Sequence, residues 1–392
     1  MMLRSHQQFF ACRHFATVAL LLAIPLAACG SSGTEPPPDA DILWSTAAPG
    51  LGAPAADGDA VYFGTMQNEV VALDRATGEV RWRSATSSGL PQNLGGTNVV
   101  LAGSVVAFGD RDVVGFDRST GERRWIFTGI DSLTFVGGMP GLFLLATDGS
   151  RIFAGSSNGH AYAINAADGS TAWTTQVGDQ LGQSVQDAYV SGGTVYYTIR
   201  GALPSSADDV VALDAATGEV IWRYSTVAAS PDDLFPLGPV AVSGSTVAFG
   251  DIDGSIHAVN ATTGEVLWDA PAAAGEEGKR RGRWLVALGD ELLAIGGGGD
   301  ITALDPTTGD ERWSNRASTI GAFGPIGTDG DTIYLLFNGD RQLGAYDAST
   351  GEELWLISPP GGAQRFGGLP LAASDTLFVP TTSALLALRQ QR

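Results

Sequence analysis

The side chains that could do chemistry in this chain are few, and their spacing argues against most of what they could do. Two histidines, His160 and His257, lie beyond the first forty residues, and they fall far apart in sequence. A metal centre needs several ligands converging on one point, so each is expected to be an ordinary strand residue. Asp251-Ile-Asp-Gly254 has the alternating oxygens that open a calcium loop. No glutamate follows at the distance of the bidentate ligand, so a turn is expected there, with Asn158-Gly159 as its counterpart. Gly296 to Gly299 would cradle a phosphate only ahead of a helix, and no helical periodicity follows. No catalytic, cofactor-binding or metal residue is assigned, and no cofactor is expected. One segment differs in kind: Gly278-Lys-Arg-Arg-Gly-Arg-Trp284 places Lys279, Arg280, Arg281 and Arg283 against Trp284, beside Glu276 and Glu277. Arginine and tryptophan are enriched where proteins bind one another, which marks these five residues as a candidate partner contact. The alternative is a solvated, internally paired loop whose tryptophan begins the next strand.

The elements that must position these residues follow from a repeat. Ala72-Leu-Asp-Arg-Ala-Thr-Gly-Glu-Val-Arg-Trp82 recurs as Gly115-Phe-Asp-Arg-Ser-Thr-Gly-Glu-Arg-Arg-Trp125 and as Ala163-Ile-Asn-Ala-Ala-Asp-Gly-Ser-Thr-Ala-Trp173, with further copies ending at Trp222, Trp268, Trp313 and Trp355. Each copy reads as a hairpin. Alternating apolar residues lead in, an Asp or Asn side chain starts the turn, and Gly supplies the positive φ that the turn needs. Upstream of the copies lie further strands, such as Ala60-Val-Tyr-Phe63, Thr194-Val-Tyr-Tyr197, Thr246-Val-Ala-Phe249 and Thr332-Ile-Tyr-Leu335. Four strands per repeat make a propeller blade. The tryptophan spacings of 43, 48, 49, 46, 45 and 42 residues match the period of such blades.

The two ends of the repeat array complete each other. Leu371-Ala-Ala, Thr376-Leu-Phe-Val and Ala384-Leu-Leu-Ala-Leu are three strands with no tryptophan strand after them, while Asp41-Ile-Leu-Trp44 is a tryptophan strand with nothing before it. The expectation is an all-β, eight-bladed propeller over residues 41–392, closed by pairing the N-terminal strand with the three C-terminal ones. Closure removes exposed sheet edges, and the ring is expected to be monomeric. Trp44, Trp82, Trp125, Trp173, Trp222, Trp268, Trp313 and Trp355 are expected to pack between blades, because they recur in every blade whereas a cofactor stack would use one or two positions. With strands A to D in each blade, the short Thr-Gly turns share one face with the A–B turns. The B–C turns and longer D–A segments, about 127–139, 174–188, 224–238, 269–284 and 356–368, share the other, where partners would bind.

The start of the chain and its charge limit where this ring works. Residues 1–28 contain Arg4 and Arg13, an apolar run from Phe15 to Leu26, and no acid. That is the pattern of a signal peptide, too short to span a bilayer. Leu26-Ala27-Ala28-Cys29 resembles the lipobox of bacterial lipoproteins, which implies cleavage before Cys29 and a lipid on its thiol. Cys12 lies within the leader, so Cys29 is then the one cysteine of the mature chain and no intrachain disulfide forms. Residues 29–40 read as the lipidated cysteine and a polar tether. The mature chain carries 20 bases against 42 acids, a formal −22, a field that repels nucleic acid and anionic headgroups. Gly30 in place of an aspartate favours the periplasmic face of the outer membrane, in a cell that has one.

The repeat resembles those of pyrroloquinoline-quinone-dependent dehydrogenases and their non-catalytic relatives. In architecture it is most similar to the BamB-like group of eight-bladed, outer-membrane-assembly lipoproteins. A dehydrogenase of that kind would need a catalytic aspartate, a calcium site and usually a disulfide between adjacent cysteines. The repeating carboxylates Asp74, Asp117, Asp214, Asp305 and Asp347 are turn formers by position, and the mature chain cannot supply the disulfide. The resemblance therefore implies a non-enzymatic, protein-binding envelope scaffold that docks another envelope protein. The alternative it leaves is a quinone- or small-ligand-binding propeller, a dehydrogenase or a sensor.

Overall fold

The computed structural model describes residues 41–86, 98–109, 112–128, 144–156, 158–178, 183–200, 209–226, 238–250, 254–270, 284–296, 299–317, 327–337, 342–359 and 365–390. All of them are strand, turn or irregular chain, arranged in eight four-stranded antiparallel sheets. In blade 1 the strands run Gly50–Ala56, Ala60–Thr65, Glu69–Asp74 and Val80–Ala85, in sequential order from A to D. Blades 2 to 7 repeat this order within 99–127, 146–176, 184–225, 241–270, 284–316 and 327–357. Blade 8 is composite: Leu371–Ala373, Thr376–Pro380 and Leu385–Arg389 supply strands A to C, and Ile42–Thr46 pairs antiparallel with the last of these as strand D. The ring therefore closes as the sequence predicts.

The B and C strands are buried along almost their whole length because each has a blade against both of its faces. Consecutive side chains of a strand point to opposite faces, so alternate residues enter alternate seams. Tyr62 and Ala72 pack toward Val106, Val114 and Phe116 of blade 2, whereas Val61, Phe63, Val71 and Leu73 pack toward Phe378 and Leu385 of blade 8. Eight such clusters, one for each seam, make up the core. This dual burial is why the B and C strands read as continuous apolar runs and not as an alternation.

The C–D hairpins of blades 1, 2, 4, 5, 6 and 7 are built by one local device. In blade 1 the Asp74 carboxylate accepts from the backbone N–H of Ala76 and Thr77, both at 3.0 Å, and the Asp74 carbonyl accepts from Gly78, whose φ is +72°. A register shift follows between Ala72 and Leu73, and it sets Trp82 directly opposite Ala72. The same pairing of the tryptophan with Ala or Gly occurs in all eight blades, down to Trp44 opposite Ala387. A small residue there lets the indole lie over the strand and reach the next blade.

The strands extend further into the expected D–A segments than the turn residues suggest. The stretch expected as 174–188 carries strand as far as Gln176 and again from Ser184, leaving 177–183 between blades 3 and 4. Val177 and Val185 are fully buried, and burial of those side chains favours extension of the sheet over a long loop.

Candidate functional site

The eight inter-blade tryptophans form the first candidate set, and the geometry gives each a position at a seam. Trp125 Nε1 donates to the Ala166 carbonyl of blade 3 at 2.9 Å, and Trp44, Trp82, Trp173, Trp222 and Trp268 make the equivalent bond to Arg75, Arg118, Ala215, Ala261 and Pro306. Trp313 and Trp355 have no partner for their indole N–H. These side chains touch protein on both faces, as packing residues do.

The face with the Thr-Gly turns is dominated by carboxylates already engaged. The Arg81 guanidinium and the N–H groups of the turn hold Asp74 at a pKa of about 2, and Ser119, the turn N–H groups and Arg124 lower Asp117 further. Asp57, in the A–B turn of blade 1, bridges to Arg118 of blade 2, with Arg118 Nε at 2.7 Å and the Tyr62 hydroxyl at 2.9 Å from its carboxylate. These groups brace turns and seams.

The opposite face, where the B–C turns and D–A connections lie, carries a different set across blades 3 to 5. In blade 3, His160 Nδ1 lies 3.1 Å from the Asn158 side-chain oxygen. In blade 4, Asp209 is buried and accepts from Arg223 Nη1 at 3.0 Å, while Arg223 Nη2 donates to the Val177 carbonyl. At the seam with blade 5, His257 Nδ1 lies 2.7 Å from the Asp269 carboxylate and 3.3 Å from the Tyr224 hydroxyl, against the ring of Phe249. The two histidines belong to separate clusters on different blades. Gly159 and Gly254, at φ +84° and +89°, hold equivalent places in B–C turns, and Gly299 does so in blade 6 at +85°.

At the inner end of this face, the chain entering blade 3 is gripped from both sides. Asn98 of blade 2 exchanges two hydrogen bonds with the Leu145 backbone, each at 2.8 Å. Asp187 of blade 4 accepts from the Leu144 N–H at 3.2 Å, and the Ala188 N–H donates to the Leu144 carbonyl at 3.0 Å. Asp187 sits in the irregularity between Val185 and Ala188. Burial pushes its pKa up to about 6 against the pull of the Leu144 N–H. It is the one carboxylate on the eight described A strands.

These residues do not fit a calcium–quinone site. Calcium takes six to eight oxygen ligands. The described A strands, which line the axis, offer one carboxylate that is already bonded to backbone, and no group of three His, Cys, Asp or Glu among the described residues could hold a metal ion. Of the sequence-predicted partner contact, Lys279, Arg280, Arg281 and Arg283 lie outside the described residues, as does Cys29. Trp284 is the first residue of the blade 6 A strand, half-buried against the cluster between blades 6 and 7. Sequence reading missed Asp187, the Asp209–Arg223 pair and the His257–Asp269–Tyr224 cluster. Of these only Asp209 carried a signal, a polar residue three before the small residue that faces the tryptophan, as also at Glu69, His160 and Asp300.

Comparison with known proteins agrees with this geometry. A family model described as outer membrane protein assembly factor BamB matches residues 36–139, 135–298 and 297–391. The quinoprotein ethanol dehydrogenase of Pseudomonas aeruginosa is 36% identical over 162 residues, covering 36% of this chain and 24% of that protein. The outer membrane protein assembly factor BamB of Yersinia pestis is 26% identical over 221 residues, covering 55% of this chain and 52% of that protein. The matched stretches thus span about half or less of these relatives. The crystal structure of BamB from Moraxella catarrhalis shares the fold, with a TM-score of 0.56 at 19% identity over 75% of this chain and 82% of that one. With the family model matched along nearly the whole ring, the chain belongs to the BamB family of pyrroloquinoline-quinone-type repeat propellers.

Proposed function

We propose that the chain is a non-catalytic envelope lipoprotein, anchored through Cys29, whose propeller docks another envelope protein, membership of an outer-membrane assembly machine being drawn from its BamB relatives. The docking surface is the face of B–C turns and D–A connections. The observation that carries this is the content of that face. Its described polar groups are bonded to one another or to backbone in blades 3 to 5, so they shape a rigid polar surface and present no converging reactive set. Lys279, Arg280, Arg281 and Arg283 follow the blade 5 D strand in sequence and precede Trp284, which offers a basic contact in an otherwise acidic chain.

Crosslinked pull-down from envelopes tests the docking. Glutamate at positions 280, 281 and 283 should reduce recovery of the partner at least tenfold; unchanged recovery would rule out this loop. A second reading, a quinone-binding propeller, is favoured by the 36% identity to a quinoprotein ethanol dehydrogenase. Calorimetry with pyrroloquinoline quinone and calcium separates the two, because saturable one-to-one binding would sink the scaffold.

A further inference from the structure

The outer strand of each blade begins with two exposed residues before the tryptophan, and their character changes around the ring. In blades 2, 3 and 6 they are Arg123 and Arg124, Thr171 and Ala172, and Glu311 and Arg312. Around the closure each pair includes an aliphatic residue on three consecutive blades: Leu354 beside Glu353 in blade 7, Ile42 and Leu43 in blade 8, and Val80 beside Arg81 in blade 1, the four aliphatic residues being 47%, 41%, 40% and 45% exposed. A second aliphatic set, Val220 and Ile221 of blade 4 with Val266 and Leu267 of blade 5, lies on the other side of the ring.

What distinguishes the closure set is the chain that leads to it. Ile42–Thr46 is the strand through which the ring is joined to residues 29–40. Eleven residues separate Cys29 from Asp41, a reach of at most about 40 Å. A lipid on Cys29 therefore confines blade 8, before any other blade, to the neighbourhood of the bilayer. A flat surface brought against the rim at blade 8 meets blades 7, 8 and 1, the blades whose exposed outer positions include aliphatic residues. It cannot meet blades 4 and 5.

We infer that this rim, Leu354, Ile42, Leu43 and Val80, rests on the surface of the membrane that carries the anchor, holding the ring on edge with blades 3 to 5 turned away from the lipid. The inference rests on the lipidation of Cys29 proposed above. Its chemistry is apolar. The mature chain's formal −22 opposes anionic headgroups, so the contact is with zwitterionic lipid, through aliphatic side chains at the interface, and is insensitive to salt.

The test uses the chain from Cys29 onward, coupled through that single thiol to a maleimide lipid in phosphatidylcholine vesicles containing a diazirine phospholipid. After photolysis, mass spectrometry should find lipid adducts at residues 42, 43, 80 and 354 at least threefold more often than at 220, 221, 266 and 267, equally at low and high salt. In the double variant L43D/L354D, adducts at Val80 should fall severalfold while the melting temperature stays within a few degrees. An even or reversed map overturns the inference. So does a rim that lipid leaves unmarked but that crosslinks to an envelope protein in cells. Cys29 found unmodified in protein purified from cells would sink the anchor itself, an outcome separate from a failed map on chemically tethered vesicles.

Discussion

Gly169 lies flat against the indole of Trp125 from the preceding blade: at φ +74°, it leaves room where a Cβ would meet the ring at 2.7 Å. The same turn lends the Ala166 carbonyl to Trp125 Nε1. One turn thus provides both a gap and an acceptor for its neighbour's tryptophan, which makes the C–D turn a device for joining blades as well as for reversing the chain.

Gly169→Ala should therefore cost more than its turn conformation alone. Positive φ for alanine and a clash with a buried ring together predict a loss of about 2–4 kcal/mol. Gly192→Ala, at φ +57° with nothing within 4 Å of the new methyl, should cost only about 1 kcal/mol. Urea denaturation of both variants checks the difference, and equal losses would show that the indole contact contributes nothing.

The seams are not equivalent. Trp125→Phe deletes a buried hydrogen bond and strands the Ala166 carbonyl, whereas Trp355→Phe removes an N–H that has no partner. The first should be the more destabilising by about 1–2 kcal/mol. In blade 8 the turn position that would accept from Trp355 belongs to Gln390, a buried side chain whose amide atoms also lack partners. Hydrogen exchange should accordingly be faster in Glu353–Ile357 than in Arg123–Phe127.

Asp187 should make the protein less stable as pH rises through the mildly acid range. Its folded pKa of about 6 lies above the ordinary aspartate value of 3.8, so the folded state binds more protons between those values and stability falls across them. Asp187→Asn should raise the melting temperature at pH 7.5 and flatten its slope between pH 4 and 6. A slope unchanged by the substitution would show that another group titrates there.

Asp57 should act in the opposite sense and at lower pH. Burial pushes its pKa up, but the N–H groups of Asp59 and Ala60, Arg118 and the Tyr62 hydroxyl more than offset this and hold it at about 2. Its contribution is fully present above pH 4 and is lost as pH falls toward 2. Asp57→Asn should lower stability at pH 7 and shift acid unfolding little, measured by circular dichroism from pH 5 to 2; Arg118→Met should lower stability at pH 7 in the same way.

How much of this was legible depends on how local the governing interaction is. An Asp or Asn side chain and a Gly four residues on dictate the C–D turn by themselves, so that hairpin, its tryptophan and the blade count could be read directly. The candidate site could not. Asp187 meets Leu144 across 43 residues, and Tyr224 meets His257 across 33. Nothing near either aspartate or histidine in the chain encodes its partner. Trp284 was legible as a residue type, but only its place as the first residue of an A strand shows that one side of it is committed to the core.

By itself the sequence determined the repeat, the closure of the ring from its two ends and the acidic character of the chain, because each follows from turn chemistry, period or composition. Only the tertiary structure decided which turn accepts from which tryptophan, which seams lack that bond, which aspartate is pushed toward neutrality, and which exposed aliphatic residues gather around the closing strand. These depend on elements that meet when the ring closes, and a one-dimensional pattern carries no information about the environment that burial creates.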